Sequence, residues 1–351
     1  MTANATVNEL ASTIKKLAIK GKGILAADES VPTITKRFQA NGIESTEDSR
    51  RAYREMLVTT PGCNQFIAGI ILFEETLNQT TSKGLLFPQL LNQLDILPGI
   101  KVDKGLIPLI NLENPAQKEE ITQGLDGLPE RLADYKSKGA RFAKWRAVYA
   151  ISQNTPSTLA IQTNAEILAR YAAICQQQGI VPIVEPEVLI DSDHTIARCE
   201  EVSGPVFHAV FEALYRHHVK LEYIVLKPSM VISGKTCAQK SSVQETADAT
   251  LRILQQTVPS AVPTINFLSG GQTSLQATAH LNAMNQHVLP WNLSFSYARA
   301  LQEDAMKIWA GKAENIPAAQ AAFYKRAKLN SLAAKGEYTE MMEREAAALV
   351  A

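Results

Sequence analysis

Lysine, arginine and glutamate residues lie inside apolar, strand-like runs of this sequence. Lys227 lies in VLKPSM, and Lys144 and Arg146 lie two residues apart in FAKWRAV. An amine in a desolvated site near another cation has a depressed pKa, because both effects disfavour the ammonium form. The neutral amine can attack a ketone and form an iminium, which serves as an electron sink. The alternatives are a snorkelling surface lysine for Lys227 and a structural salt bridge for Lys144 or Arg146.

Two carboxylates, Glu185 and Glu187 in VEPEV, share one face of a strand if side chains alternate. A carboxylate pair raises one pKa, which provides an acid for a leaving hydroxyl and a base that takes the proton back. The alternative is half of a metal site. No histidine cluster joins the pair by spacing, since His217 and His218 are adjacent in a helical stretch. We therefore expect neither a metal ion nor a cofactor.

Two groups of residues could bind phosphate. LSGGQ (268–272) ends an apolar run with two glycines, so backbone N–H groups can approach an anion closely. Ser296 and Arg299 in the next run would complete that site. A second phosphate could be held by residues from three other segments: Lys101, Arg146 and Ser30.

Apolar runs alternate with amphipathic helical patterns along the chain, which is typical of an α/β fold. The runs span residues 23–28, 66–75, 99–104, 141–148, 180–188, 223–230, 263–271 and 292–301. Each carries an ionisable or phosphate-binding group at or beyond its C-terminal end, where a barrel places its active site. A doubly wound sheet would give a similar count, but this convergence favours a (β/α)8 TIM barrel. We predict a single domain, residues 1–335, with an N-terminal helix, C-terminal helices and a tail over residues 336–351.

The composition limits the function classes. Lys plus Arg and Asp plus Glu each total 35, so the formal net charge is zero and general nucleic-acid or acidic-membrane binding is not expected. No secretory signal or membrane-length apolar run is present in the sequence. The four cysteines form no C-x-x-C pair, which favours a reduced, cytoplasmic protein.

The sequence resembles the class I fructose-bisphosphate aldolases over essentially its whole length. The segments that carry the resemblance are, in order, GKGILAADES, IKVDKG, TQGLDGL, FAKWR, CQQQGIVPIVEPE, LKPSMV, FLSGGQ and SFSYARAL. The resemblance implies reversible cleavage of fructose 1,6-bisphosphate to dihydroxyacetone phosphate and glyceraldehyde 3-phosphate, in glycolysis and gluconeogenesis. It also implies a homotetramer.

The resemblance further implies a role for each matching residue. Lys227 would form the Schiff base, and Glu185 would be the main proton shuttle. Asp28 would hold the C4 hydroxyl region and help to position Lys227, while Lys144 would tune the charge around the amine and Glu187 would support it by hydrogen bonding. The C1 phosphate would be bound by Ser269, Gly270, Gly271, Ser296 and Arg299. The C6 phosphate would be bound by Lys101, Arg146 and Ser30, with Arg37 and Arg50 at the rim.

Three departures from the family pattern stand out. Ala298 replaces the glycine of the family's YGRAL segment, and Pro32-Thr33 follow Ser30 near the expected C6 phosphate site. The sequence printed here ends in Leu-Val-Ala, with its last tyrosine at Tyr338, whereas many family members end in a tyrosine. The alternatives are a related substrate such as sedoheptulose 1,7-bisphosphate, a zinc-dependent aldolase, and a non-catalytic scaffold with this fold.

Overall fold

The fold is known from a computed structural model, which describes residues 3–113, 115 and 118–348. Its strands are β1 (Gly23–Ala27), β2 (Ile67–Leu72), β3 (Leu97–Lys101), β4 (Leu106–Pro108), β5 (Glu120–Thr122), β6 (Phe142–Tyr149), β7 (Val181–Val188), β8 (Val225–Leu226), β9 (Thr264–Phe267) and β10 (Asn292–Tyr297).

The helices surround these strands. They are α1 (Ala3–Leu17), α2 (Val31–Gln39), α3 (Glu47–Val58), α4 (Glu74–Asn78), α5 (Phe87–Gln93), α6 (Leu128–Ser137), α7 (Thr158–Gln177), α8 (Ile196–Arg216), α9 (Val243–Thr257), α10 (Ser274–Met284), α11 (Arg299–Trp309), α12 (Ile316–Ala333) and α13 (Met341–Ala348). None of the helices in the described ranges is both long enough and apolar enough to span a bilayer.

Eight parallel strands close into a barrel in the order β1-β10-β9-β8-β7-β6-β3-β2. Each of the eight predicted runs contains one of these strands, so the (β/α)8 prediction is confirmed. Their register brings charged residues together, because Lys101 lies beside Lys144 and Arg146 lies beside Glu185 on neighbouring strands.

Some element boundaries differ from the prediction. The last run was predicted to extend over residues 292–301, but the strand ends at Tyr297 and α11 begins at Arg299. In the run at 223–230, only Val225 and Leu226 form the strand, because a short 3₁₀ turn precedes them. The hairpin of β4 and β5 was not predicted, since its strands are short and lie outside the barrel.

The N-terminal end of the barrel is filled with apolar side chains. Leu10, Ile14 and Leu17 of α1 pack into one buried cluster with residues of six barrel strands: Ile24, Ala26, Ile71, Leu97, Phe142, Val181, Ile183 and Val225. Position 99 must be glycine here, because a Cβ at Gly99 would overlap the ring of Phe142. The prediction of an N-terminal helix is therefore confirmed, and the packing leaves the opposite end of the barrel for the polar residues.

The predicted tail contains a helix, α13. Tyr338 is buried, and Glu343 of α13 pairs with Arg326 of α12 at 2.6 Å. These contacts attach the segment to the outer helices of the barrel. The boundary between barrel and tail at residue 335 stays a prediction. Residues 349–351, which include the end without tyrosine, lie outside the described part of the chain.

Candidate active site

Four charged side chains meet inside the C-terminal end of the barrel. Lys227 Nζ lies 3.1 Å from Glu185 Oε1, and Lys144 Nζ lies 3.4 Å from Glu185 Oε2 and 2.8 Å from Asp28 Oδ2. The side chains of Lys227, Glu185 and Lys144 are only 5%, 4% and 6% exposed. Buried charges of this kind are stable only when they are paired with one another.

The strands themselves position these groups. Lys227 follows β8 directly, and its backbone N–H donates to the Val184 carbonyl at 2.8 Å, which continues the pairing with β7. Asp28 follows β1, while Lys144 and Glu185 lie within β6 and β7. Because adjacent parallel strands end at the same side of a barrel, the four groups converge although they lie far apart in sequence.

Lys144 is held as a cation. Burial alone would lower its pKa, but the charges of Asp28, Glu185 and Asp103 raise the pKa well above the usual range for lysine. Asp103 Oδ2 lies 3.9 Å from the Lys144 nitrogen. A lysine paired in this way keeps its proton at neutral pH, so it supplies positive charge rather than a nucleophile.

Asp28 is held as an anion. Burial would raise its pKa, but Lys144, Lys227 and Lys101 together lower the pKa far below the usual carboxylate range. Asp28 therefore remains ionised and accepts a hydrogen bond from the Lys144 ammonium. The sequence prediction that Asp28, Lys144, Glu185 and Lys227 form one cluster agrees with this geometry.

Glu187 has a different partner from the one expected. Its carboxylate pairs with Arg146 Nε, and no hydrogen bond among the described residues joins it to Lys144. Burial would lower the Arg146 pKa, but the Glu187 charge raises it, so the guanidinium stays charged. Glu185 therefore contacts Lys144 and Lys227, whereas Glu187 contacts Arg146.

A tight turn follows β9 at the predicted phosphate loop. The Gln272 N–H donates to the Ser269 carbonyl at 3.1 Å, and Gly271 adopts φ +71° in between. A Cβ at Gly271 would also overlap the side chain of Ile190, so this position requires glycine. Gly270 lies beside Glu187, because a Cβ there would come 3.1 Å from Glu187 Oε1.

The neighbouring strand adds polar groups to that loop's side of the barrel. Ser296 in β10 is buried, and its hydroxyl has no hydrogen-bond partner within the part of the chain that is described. Arg299 begins α11 and is exposed. An unpartnered buried hydroxyl is costly unless a ligand or water satisfies it, which agrees with a polar ligand at this place.

The residues expected at the second phosphate have mixed environments. Lys101 ends β3 with its Nζ 3.6 Å from Asp103, and the Ser30 hydroxyl lies 3.0 Å from the Thr33 hydroxyl. The two rim arginines are already engaged in ion pairs, Arg37 with Glu29 and Arg50 with Glu75. Their part in phosphate binding stays a prediction.

Asp103 was missed from the sequence. Its side chain is buried between Lys101 and Lys144, and Oδ2 lacks a hydrogen bond from any described residue. The sequence signal that could have indicated Asp103 as a site residue was its position two residues after Lys101. Glu74, by contrast, ends a predicted run but pairs with Lys104 at a half-exposed position, so it lies outside the cluster.

Two further sequence features have defined surroundings. Ala298 has φ −100°, so its backbone does not require the glycine found in the family segment. The Tyr338 hydroxyl donates to Glu343 at 3.2 Å, which holds this last tyrosine against α13. Across residues 3–113, 115 and 118–348, no group of three or more His, Cys, Asp or Glu side chains is arranged to hold a metal ion.

Comparison with known proteins identifies the family. The family model described as "Glycolytic: Fructose-bisphosphate aldolase class-I" matches residues 9–350. The chain is 51% identical over 335 residues to a "Probable fructose-bisphosphate aldolase class 1" of Xanthomonas campestris pv. campestris, covering 95% of this chain and 99% of that protein. It is 52% identical over 340 residues to the "Fructose-bisphosphate aldolase 1, chloroplastic" of Chlamydomonas reinhardtii, covering 97% of this chain and 89% of that protein.

The fold agrees with a solved structure. It matches a ternary co-crystal structure of fructose-bisphosphate aldolase from Plasmodium falciparum in complex with TRAP and a small molecule inhibitor. The TM-score is 0.93 and the identity 47%, with 97% of each chain covered. These relatives favour fructose bisphosphate cleavage over the seven-carbon and scaffold alternatives. With 342 of its residues matched by the family model, positions 9 to 350, the chain belongs to the class I fructose-bisphosphate aldolases.

Proposed function

We propose that this chain cleaves fructose 1,6-bisphosphate reversibly through a Schiff base on Lys227. The observation that carries this assignment is the difference between the two buried lysines. Lys144 is bound by Asp28 and Glu185 and approached by Asp103, whereas Lys227 has an ion pair with Glu185 alone among the described residues. Lys144 is thereby kept charged, and Lys227, which has a single carboxylate beside it, is the lysine that we assign as the nucleophile.

The proposed reaction follows from these contacts. Lys227 Nζ attacks the C2 carbonyl, and Glu185 protonates the carbinolamine hydroxyl so that it leaves as water. The resulting iminium accepts the electron pair of the C3–C4 bond while Glu185 removes the C4 hydroxyl proton. Glyceraldehyde 3-phosphate leaves, and protonation of the enamine at C3 followed by hydrolysis releases dihydroxyacetone phosphate.

The remaining charges support this chemistry. Asp28 would orient the C4 hydroxyl region, and Lys144 would stabilise negative charge that develops between Asp28 and Glu185. Glu187 would keep Arg146 in place for the C6 phosphate rather than act on Lys144. The turn at Ser269, Gly270 and Gly271, together with Ser296 and Arg299, would bind the C1 phosphate. Lys101, Arg146 and Ser30 would bind the C6 phosphate.

The test is borohydride reduction of the enzyme with dihydroxyacetone phosphate, followed by mass spectrometry of its peptides. We expect irreversible inactivation and one reduced adduct on Lys227. Lys144 is the internal control, because it is equally buried and lies in the same cluster. An adduct on Lys144, or full activity in Lys227→Met, would show that the nucleophile is assigned wrongly.

A second measurement separates the two known aldolase chemistries. We expect activity to survive prolonged incubation with excess chelator, because an iminium takes the electron-sink role that zinc fills in the other class. Loss of activity with chelator, restored by zinc, would refute the Schiff-base proposal.

Family likeness also supports two finer proposals, a homotetramer and a cytoplasmic location. Light scattering on a sizing column should give about four times the 38.4 kDa chain mass, and a monomer mass would refute the first proposal. Cell fractionation tests the second, and recovery from an organelle would refute it.

A further inference from the structure

The proposed phosphate loop, residues 269–272, is contacted from two sides by residues that are not among those proposed to bind the substrate. On one side, Ile190 in the segment after β7 packs against Gly271. On the other, His280 in α10 contacts the Gln272 side chain, with Nδ1 2.7 Å from Oε1. We propose that His280 and Ile190 are positioning residues that keep this loop in the shape that binds the C1 phosphate.

The His280 contact has a defined direction. Burial lowers the imidazole pKa to about 4, so the ring is neutral at pH 7. The Gln272 amide oxygen can only accept a hydrogen bond, and the imidazole therefore donates from Nδ1–H. Because His280 is 2% exposed, this donor has been removed from water and its loss would leave Gln272 without that restraint.

The Ile190 contact fixes the other half of the turn. Its segment is itself anchored, since the Lys235 N–H donates to the Ile190 carbonyl at 2.7 Å. The side chain occupies the space that a Cβ at Gly271 would need. Gly271 has φ +71° in this turn, and a rigid neighbour limits its freedom to leave that conformation.

This inference rests on the proposed function, because it concerns the phosphate that stays with C1 after cleavage. Dihydroxyacetone phosphate carries that phosphate, whereas glyceraldehyde 3-phosphate carries the one from the other end. A disturbed loop should therefore raise the KM for dihydroxyacetone phosphate and leave the KM for glyceraldehyde 3-phosphate unchanged. General destabilisation would not separate the two.

The experiment measures both KM values in the condensation direction for H280L, H280N and I190A. We expect H280L to raise the KM for dihydroxyacetone phosphate about three- to tenfold, the value of one hydrogen bond, without changing kcat. H280N retains an N–H donor and should restore most of the affinity. I190A should raise the same KM, and the KM for glyceraldehyde 3-phosphate should stay constant in all three.

The matched control is Met284→Ala, a fully buried residue in the same helix that lies twelve positions beyond Gln272 in the sequence. It should lower the melting temperature and leave both KM values unchanged. The proposal is overturned if H280L and wild type share one KM for dihydroxyacetone phosphate, or if Met284→Ala raises it equally. A wild-type protein that fails to form the borohydride adduct would instead refute the proposed function itself.

Discussion

Replacing Lys144 by methionine removes the cation that holds Asp28 and Glu185 together. At an effective dielectric constant of about 20, separations of 2.8 and 3.4 Å correspond to attractions of about 6 and 5 kcal/mol before desolvation is subtracted. Removal of one partner from a buried ion pair destabilises proteins by about 3–5 kcal/mol, because a buried charge is left uncompensated. We therefore expect Lys144→Met to lower the free energy of unfolding by that amount at pH 7.

The pH dependence gives the prediction a second signature. The folded-state pKa of Asp28 is depressed, so its contribution to stability is present above the unfolded pKa, about 4, and is lost as the pH falls towards the folded value. The deficit of Lys144→Met should consequently be full at neutral pH and shrink below pH 4.

Urea unfolding of both proteins across this pH range measures the effect, with Lys104→Met as the control. Lys104 pairs with Glu74 at 3.2 Å on the half-exposed surface, where such pairs contribute at most about 1 kcal/mol. Cleavage activity should fall strongly in Lys144→Met alone. A deficit no larger than that of the control, or one that grows in acid, would show that Lys144 is not the compensating cation.

Three other perturbations test separate parts of the structure. Gly271→Ala forces a strained φ and overlaps Ile190, so we expect a stability loss of about 1–3 kcal/mol by urea unfolding and a higher KM for dihydroxyacetone phosphate. Acidification from pH 7 to 5 should lower the free energy of unfolding by about 2 kcal/mol through His280, because the unfolded chain binds the proton at a higher pH than the folded chain does. Urea unfolding of H280N should lack this part of the pH dependence. Glu343→Gln breaks the ion pair with Arg326, so limited proteolysis should cut residues 341–348 faster, and an unchanged rate would contradict that role.

Much of the site could be predicted because the barrel leaves few places for buried charges. Lys144 and Glu185 lie inside strands, and Asp28 and Lys227 lie directly after strands. Each would be unfavourable alone in apolar surroundings, so their positions indicated a shared location. Closure of the barrel brings the ends of these strands together, so no further information from the sequence is needed to place the four residues near one another.

The partners of these charges were harder to predict, because they depend on register and on loops. Alternation along one strand placed Glu187 on the same face as Glu185. The position of Arg146 beside Glu185 depends instead on the register between β6 and β7, which the alternation within one strand does not give. Asp103 lies beyond the end of β3, where the alternation rule no longer fixes a side chain's direction. The end of β10 was misjudged for a similar reason, since the apolar pattern continues unchanged into α11.

The packing of α1 into the barrel has a consequence for how the protein is made. This helix is synthesised before the apolar residues that it packs against, which are spread along the chain as far as Val225. The apolar face of α1 therefore stays exposed until the later barrel strands have been synthesised. Nascent chains would be prone to aggregation during that interval. We therefore expect chaperones to bind nascent chains that end before residue 225 more than those that extend past it.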